Sequence, residues 1–195
     1  MNELIFFSTN LSKVKEIKKY FRNKKIKILT LNDFHKIKEP NEVGTDFKEN
    51  AKIKSNFGFL KFGLPCFADD SGICISALNN KPGIYSKKFI KNSGGQKEAL
   101  RIIINRAIKK NDFRAFFQTS FCLTTKEGAC NYFEGIVKGK ISRKPVGSKG
   151  FGYDPIFIPI HCNKTYAQMT IKEKNKTSHR GLAMNKLENY LNKII

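Results

Sequence analysis

The chain has no tryptophan, only six prolines, and no apolar run near the roughly 20 residues that a bilayer-spanning helix needs. No membrane association is expected, and the apolar run within Met1 to Asn10 is too short for a secretory leader core. The five cysteines, Cys66, Cys74, Cys122, Cys130 and Cys162, are odd in number, lie far apart and contain no C-x-x-C pair. That pattern argues against a disulfide framework and a zinc site, and predicts reduced thiols in a cytoplasmic protein. No repeat, low-complexity segment or Pro/Ser-rich linker divides the 195 residues, so a single domain over residues 1–195 is expected. A hydrophobic content of 40% suffices for a real core.

Acidic residues are also scarce, 16 against 37 basic ones, for a formal charge of +21. Such an excess points to a polyanion partner, either nucleic acid or a polyphosphate. The basic residues are mostly lysine, however, spread from Lys13 to Lys193 among many Asn and Ile, as biased base composition alone would produce. No nucleic-acid-binding module is recognisable. A basic nucleic-acid-binding protein is thus the weaker reading, and no specific nucleic acid is expected as partner.

Apolar periodicity predicts a strand over Glu3 to Phe7, then a helix capped by Asn10 or Ser12 with Val14, Ile17 and Phe21 on one face. Ile26 to Leu31 reads as a second strand. Asp46 to Glu49 has the form of a capped helix start, followed by Phe47, Ala51, Phe57 and Leu60 as the inward face. Cys66 to Ala68 and Ile73 to Leu78 read as two apolar runs interrupted by an acidic turn, Asp69-Asp70-Ser71-Gly72. Gln96 to Lys109 reads as a helix with Ala99, Ile102, Ile103 and Ala107 inward. Phe113 to Thr124 and Asn131 to Ile141 form a hairpin around Lys126-Glu127-Gly128, and a last helix from Ser178 presents Leu182, Leu187, Tyr190, Leu191 and Ile194. Crossovers and a hairpin in one sheet make the class α/β with a mixed sheet flanked by helices.

Four polar segments interrupt these elements. Ser8, Thr9, Asn10, Leu11, Ser12 and Lys13 lie where a strand meets a helix, a place whose backbone N–H groups and dipole favour an anion, and Lys13 adds a point charge. The adjacent carboxylates of Asp69 and Asp70 offer hard oxygens of the kind Mg²⁺ accepts, and one of them can take a proton from water. Gly147 to Pro155 combines glycines, for close backbone approach, with the aromatic faces of Phe151 and Tyr153. Lys174, Lys176, His179 and Arg180 surround the start of the last helix, just after the capping-box pattern of Thr170 to Glu173. They offer donors to a base carbonyl or a phosphate. Each segment alone has an ordinary reading: a helix cap, an Asp-Ser-Gly turn, a loop with aromatics in the core, a solvated helix start.

Taken together, STNLSKVKE (Ser8 to Glu16), GTDFKENA (Gly44 to Ala51), ADDSG (Ala68 to Gly72), PGIYS (Pro82 to Ser86), GFGYDPIF (Gly150 to Phe157) and SHRG (Ser178 to Gly181) resemble the inosine/xanthosine triphosphate pyrophosphatase family. The resemblance implies a two-lobed α/β fold with a long central mixed sheet, an active cleft between the lobes, Mg²⁺ dependence and a homodimer. It implies hydrolysis of deaminated purine nucleoside triphosphates (ITP, dITP, XTP) to the monophosphate and pyrophosphate, which cleanses the nucleotide pool. Asp70 would be general base and metal ligand, with Glu42 or Glu39 assisting the metal. Ser8 to Lys13 would hold the triphosphate, with Ser71 also on the substrate. Phe151, Gly152, Tyr153, Asp154, Lys174, His179 and Arg180 would recognise the purine and its sugar-phosphate. Two departures stand out: Gln168 replaces the usual Glu, and Lys87-Lys88 replaces the usual Ala-Arg. A related pyrophosphatase for another modified nucleotide is the nearest alternative.

Overall fold

The computed structural model describes residues 3–34 and 37–194. Seven strands form one mixed sheet: β1 (Glu3–Phe6), β2 (Lys27–Thr30), β3 (Cys66–Ile75), β4 (Lys81–Pro82), β5 (Arg114–Thr124), β6 (Cys130–Ile141) and β7 (Phe157–Pro159). Their order is β2-β1-β3-β5-β6-β7, with β4 pairing β3. Both β2 and β3 run parallel to β1, while β4 on β3 and β7 on β6 are antiparallel. Six helices accompany them: α1 (Leu11–Phe21), α2 (Phe47–Phe62), α3 (Ser86–Asn92), α4 (Gln96–Lys110), α5 (Ile171–Thr177) and α6 (His179–Ile194). The expected α/β class with a mixed sheet is what the chain forms. No described helix is long and apolar enough to cross a membrane.

Two compact units are distinguished. The first comprises Met1–Asp70, Thr119–Glu134 and Leu182–Ile195. Its β1 alternates faces, as any strand must. Leu4 and Phe6 enter one core with Val14, Ile17, Phe21, Phe121, Leu187 and Leu191, while Ile5 and Phe7 enter a second with Cys66, Ala68 and Phe57. Burial on both faces is why β1 reads as an unbroken apolar run. The second unit comprises Ser71–Gln118 and Gly135–Gly181. Its core sets Ile73 and Ile75 of β3 against Leu100, Ile103, Ile104 and Ala107 of α4, and gathers Phe117, Phe157 and Tyr166.

Capping follows the sequence closely. Asn10 Oδ1 accepts from the amides of Ser12 (3.0 Å) and Lys13 (3.2 Å), so Asn10 rather than Ser12 is the cap of α1. Asp46 accepts from Glu49 N at 2.8 Å to open α2, and Thr170 with Glu173 forms the reciprocal box that opens α5. A break after α5 separates it from α6, where Ser178 Oγ accepts from Gly181 N at 3.0 Å. Only glycine fits at 181, because a Cβ there would collide with the Asn175 carbonyl in the last turn of α5.

Several expectations need correction. The acidic segment Asp69 to Gly72 is no turn: β3 runs unbroken from Cys66 to Ile75, because ladder pairing and burial outweigh the local turn preference of Asp, Ser and Gly. Ser76–Leu78, expected as strand, is a 3₁₀ turn, as is Leu31–Asp33. Leu60 is 81% exposed instead of inward, and Leu182 and Ile194 also face solvent. In α4 it is Leu100 and Ile104, beside Ile103, that are buried, while Ile102 is only half-buried. All five cysteines are free. Burial pushes the Cys74 thiol up to about 11 and the Cys122 thiol to about 12, which makes them poor nucleophiles.

Candidate active site

In the first unit, α2 brings an unusual face to β3. Phe47, Asn50, Ala51, Lys54, Ser55 and Gly58 recur at helical spacing and are all buried, so polar side chains share the stripe that periodicity reserves for apolar ones. Lys54 reaches Glu42 Oε1 at 2.6 Å and lies 3.9 Å from Asp70 Oδ1. Asn50 Nδ2 donates to Asp70 Oδ2 at 3.1 Å. The neighbouring Asp69 does something different: its Oδ2 pairs with Lys13 Nζ at 2.9 Å and accepts from Thr119 Oγ1 at 3.4 Å. The acidic pair is therefore divided in labour. Asp69 fixes the lysine of the strand–helix junction, and Asp70 faces Lys54.

The electrostatics follow from burial. Taking Asp70 out of water pushes its pKa above the ordinary carboxylate range. Lys54, Lys13 and the Asn50 hydrogen bond pull it down by less, while Glu42 adds to the rise. Burial alone would lower Lys54, yet Asp70, Asp69 and Glu42 outweigh it and hold the ammonium above the usual lysine value. Asp70 is thus a better proton acceptor than a surface carboxylate, beside a cation that stays charged.

At the junction itself the sequence expectation needs refinement. The amides of Ser12 and Lys13 are taken by the Asn10 cap, Asn10 N donates to Ser8 Oγ at 3.2 Å, and Thr9 N donates to Glu39 Oε1 at 2.6 Å. Ser8 is buried and Leu11 is exposed. The amides of Thr9, Asn10, Ser12 and Lys13 are therefore engaged, and the cationic group of this segment is Lys13, itself paired with Asp69. Glu39 and Glu42 are told apart by their partners: Glu39 latches the Thr9 amide, whereas Glu42 shares Lys54 with Asp70.

In the second unit, Arg180 is 2% exposed, and its guanidinium donates to Ser71 Oγ at 2.9 Å. His179 is also buried and stacks on Phe117, with ring centroids 4.5 Å apart and planes within 5°. Neither is the solvated helix-start residue that its charge would suggest. Lys174 Nζ pairs with Asp154 Oδ2 at 2.7 Å and lies 4.7 Å from the Phe151 ring centroid, with Arg180 5.8 Å from the same ring. Asp154 also accepts from Phe151 N at 2.8 Å. Gly150 has a left-handed φ of 75°, and a Cβ there would strike the Asp154 carboxylate. Asp154 therefore acts through Phe151 and Lys174, whose positions it sets. Tyr153 corrects the expectation of a second stacking face: its ring is in the core and its hydroxyl donates to Ser86 O at 2.7 Å. Gly152 O accepts from Gln96 at 2.6 Å, fixing the loop from α4.

The departures are now placed. Gln168 Oε1 accepts from Thr165 N at 2.9 Å, a backbone-capping task that glutamate performs as well. Lys87 and Lys88 lie exposed on α3. Sequence reading missed Lys54, Asn50 and Thr119. The recurrence of Lys54 on the face of Phe47 and Ala51 was the available signal for the first.

Fold and side chains together define a class: an α/β protein on a mixed sheet that keeps carboxylates, lysines and an arginine buried where strands and loops meet helices. The particular family is narrower. Residues 4–190 match the model of the Ham1 family, and the chain belongs to that family. The dITP/XTP pyrophosphatase of Christiangramia forsetii is 37% identical over 191 residues, covering 98% of this chain and all of that protein. That of Borrelia duttonii is 38% identical over 199 residues, covering 98% of each. Among solved structures, a HAM1 protein from Coxiella burnetii superposes with a TM-score of 0.85 at 33% identity, over 99% of this chain and 100% of that one. The Staphylococcus aureus Ham1 protein gives 0.86 at 30% identity over the whole of both.

Proposed function

We propose that the chain is a nucleoside triphosphate pyrophosphatase that hydrolyses ITP, dITP and XTP to the monophosphate and pyrophosphate. The observation that carries this reading is full-length similarity to proteins named dITP/XTP pyrophosphatases, within one family model. Residues 1–195 act as one catalytic domain, working in the cytoplasm as a homodimer and clearing deaminated purine nucleotides before a polymerase uses them.

The donor set fits a hard divalent cation. Glu42 and Asp70 both turn carboxylate oxygens toward one positive charge, Lys54 Nζ. Among the described residues no three or more His, Cys, Asp or Glu are grouped to cage a metal. Two carboxylates suit Mg²⁺, which keeps waters and takes phosphate oxygens as further ligands. Bound there, Mg²⁺ would supply charge neutralisation at the triphosphate.

The chain's own groups do the rest. Lys13, held by Asp69, and Lys54 neutralise phosphate oxygens, with Ser8 to Ser12 shaping the junction around them. Asp70, made more basic by burial, takes the proton of the water that attacks the α-phosphorus, and pyrophosphate leaves. The base stacks on Phe151, where Lys174 and Arg180 present donors to a 6-oxo edge. A 6-amino group leaves those donors unpaired, a mismatch of about 1.4 kcal/mol or more and so about tenfold in rate. His179 keeps Arg180 in register through its stack on Phe117, and Ser71 anchors the guanidinium.

Phosphorus NMR of ITP turnover in water enriched in oxygen-18 tests this. Label should enter IMP alone, with pyrophosphate in equal amount and no early orthophosphate, and ATP, with its 6-amino group, should react at least about tenfold more slowly. Label in pyrophosphate, or equal rates on ATP and ITP, would refute the reading.

A further inference from the structure

The second unit carries a groove of about 730 Å³ formed by residues from β5, β6, β7 and the segment after β3. That volume lies in the range of small-molecule sites. None of the residues assigned above lines it. Phe116 is among its walls, whereas His179 stacks on Phe117. Successive strand residues point to opposite faces, so the groove lies on the far side of the sheet from His179.

The register makes this face unusual. Ile141 N donates to Phe113 O, Lys140 lies opposite Ile158, and Ile160 N donates to Lys138 O. Arg114, Lys140 and Ile158 therefore form one cross-strand row, and Phe116, Lys138 and Ile160 the next. Three cations thus stand in a patch two rows deep, although like charges on neighbouring strands destabilise a sheet. Asp112 relieves only one of them, holding Arg114 Nε at 3.0 Å and an Nη at 2.9 Å. Neither Lys138 nor Lys140 makes an ion pair among the described residues. Between the cations lie apolar surfaces, Phe116 and Ile158 half-buried beside Pro159. At the rim Asn80 (φ 61°) and His161 (φ 62°) adopt the left-handed backbone that side chains other than glycine seldom take.

We propose that this groove is a second nucleotide site, taking a nucleoside phosphate with its base on Phe116 and Ile158 and its phosphate between Lys138 and Lys140. The two lysines are two residues apart on one strand face, roughly 7 Å, a span that one phosphate group can bridge. The phosphate supplies the negative charge this face lacks, and the apolar floor selects a flat ring over a bare anion. A second copy of the chain would bring the same cations against themselves, so the ligand chemistry favours a small anion over self-association.

Equilibrium dialysis with labelled IMP at low salt tests the proposal on the full chain and on Lys138→Ala/Lys140→Ala. Both lysines are exposed and outside the reaction site, so the double variant should fold and keep wild-type kcat/KM on dilute ITP. It should bind one IMP fewer per chain than the wild type, whatever the reaction site itself binds. Inorganic pyrophosphate should occupy the wild-type groove at least about tenfold more weakly than IMP, lacking the ring contact. Equal IMP stoichiometry in the two proteins would overturn the site. Pyrophosphate binding as tight as IMP would overturn the nucleoside. Loss of dimer mass in the double variant, seen by sedimentation, would assign the face to a second copy instead.

Discussion

Replacing Lys54 by Met keeps the length of the side chain and removes the charge at the centre of the first unit's polar set. Lys54 is buried, Asp70 is 5% exposed, and Glu42 is the one partner open to solvent. Removing one member of a buried pair leaves the other charge uncompensated, which costs about 3–5 kcal/mol. The solvent around Glu42 screens part of the interaction, so the lower end, about 3 kcal/mol, is expected. For a chain of this size that is a loss of about 6–12 °C in melting temperature. Circular dichroism melts of both proteins, with and without Mg²⁺, measure it. The cation returns positive charge to Asp70 and Glu42, so Mg²⁺ should raise the melting temperature of the variant more than that of the wild type. A loss below about 1 kcal/mol, the size of a surface ion pair, would show that Lys54 does not compensate Asp70. An equal Mg²⁺ increment in both proteins would show that metal and lysine do not serve the same carboxylates.

Asp70→Asn should lower ITP turnover at least about 100-fold, the lower range for loss of a general base. The variant should still fold, since Asp69 and Glu42 continue to face the Lys54 ammonium, and keep a wild-type circular dichroism spectrum; retained turnover would remove Asp70 from the chemistry. Gly150→Ala should raise the KM for ITP at least about tenfold, with a smaller effect on kcat, since a Cβ displaces the Asp154 carboxylate that sets Phe151 and Lys174. An unchanged KM would separate that loop from substrate. Gln168→Glu should leave kcat/KM within about threefold, since either side chain can accept from Thr165 N; a large loss would mean the amide is needed for more than the cap.

What the sequence made readable depended on how local each signal was. The caps at Asn10, Asp46 and Thr170 and the hairpin of β5 and β6 rest on residues within a few positions of one another, and they appear where pattern places them. The continuity of β3 through Asp69 to Gly72 was not readable, because turn preference is local whereas a place in the sheet beside β5, more than forty residues on, is not. Hydrophobic periodicity placed Leu60 inward for a related reason. The buried face of α2 carries Asn50, Lys54 and Ser55, so a search for apolar residues alone is drawn to the wrong side. The two carboxylates of the acidic pair look equivalent in sequence, and only their partners, Lys13 for one and Lys54 with Asn50 for the other, separate them.

The net charge of +21 was a poor guide for a physical reason. Most lysines are exposed, where water and salt screen them within about 10 Å at ordinary ionic strength. The charges that can direct chemistry are the buried ones: Asp69, Asp70 and Lys54 in the first unit, Asp154, Lys174 and Arg180 in the second. Each costs desolvation energy that a fold built for stability alone would avoid by using apolar residues of similar size. Their retention beside Phe151 in one unit, and along the buried stripe of α2 in the other, is understandable if each cluster serves chemistry rather than stability. The same reasoning singles out Lys138 and Lys140 among the many surface lysines. They lie in a concave face with an apolar floor, and Arg114 stands across the strand from Lys140, so the usual argument from solvation applies to them least.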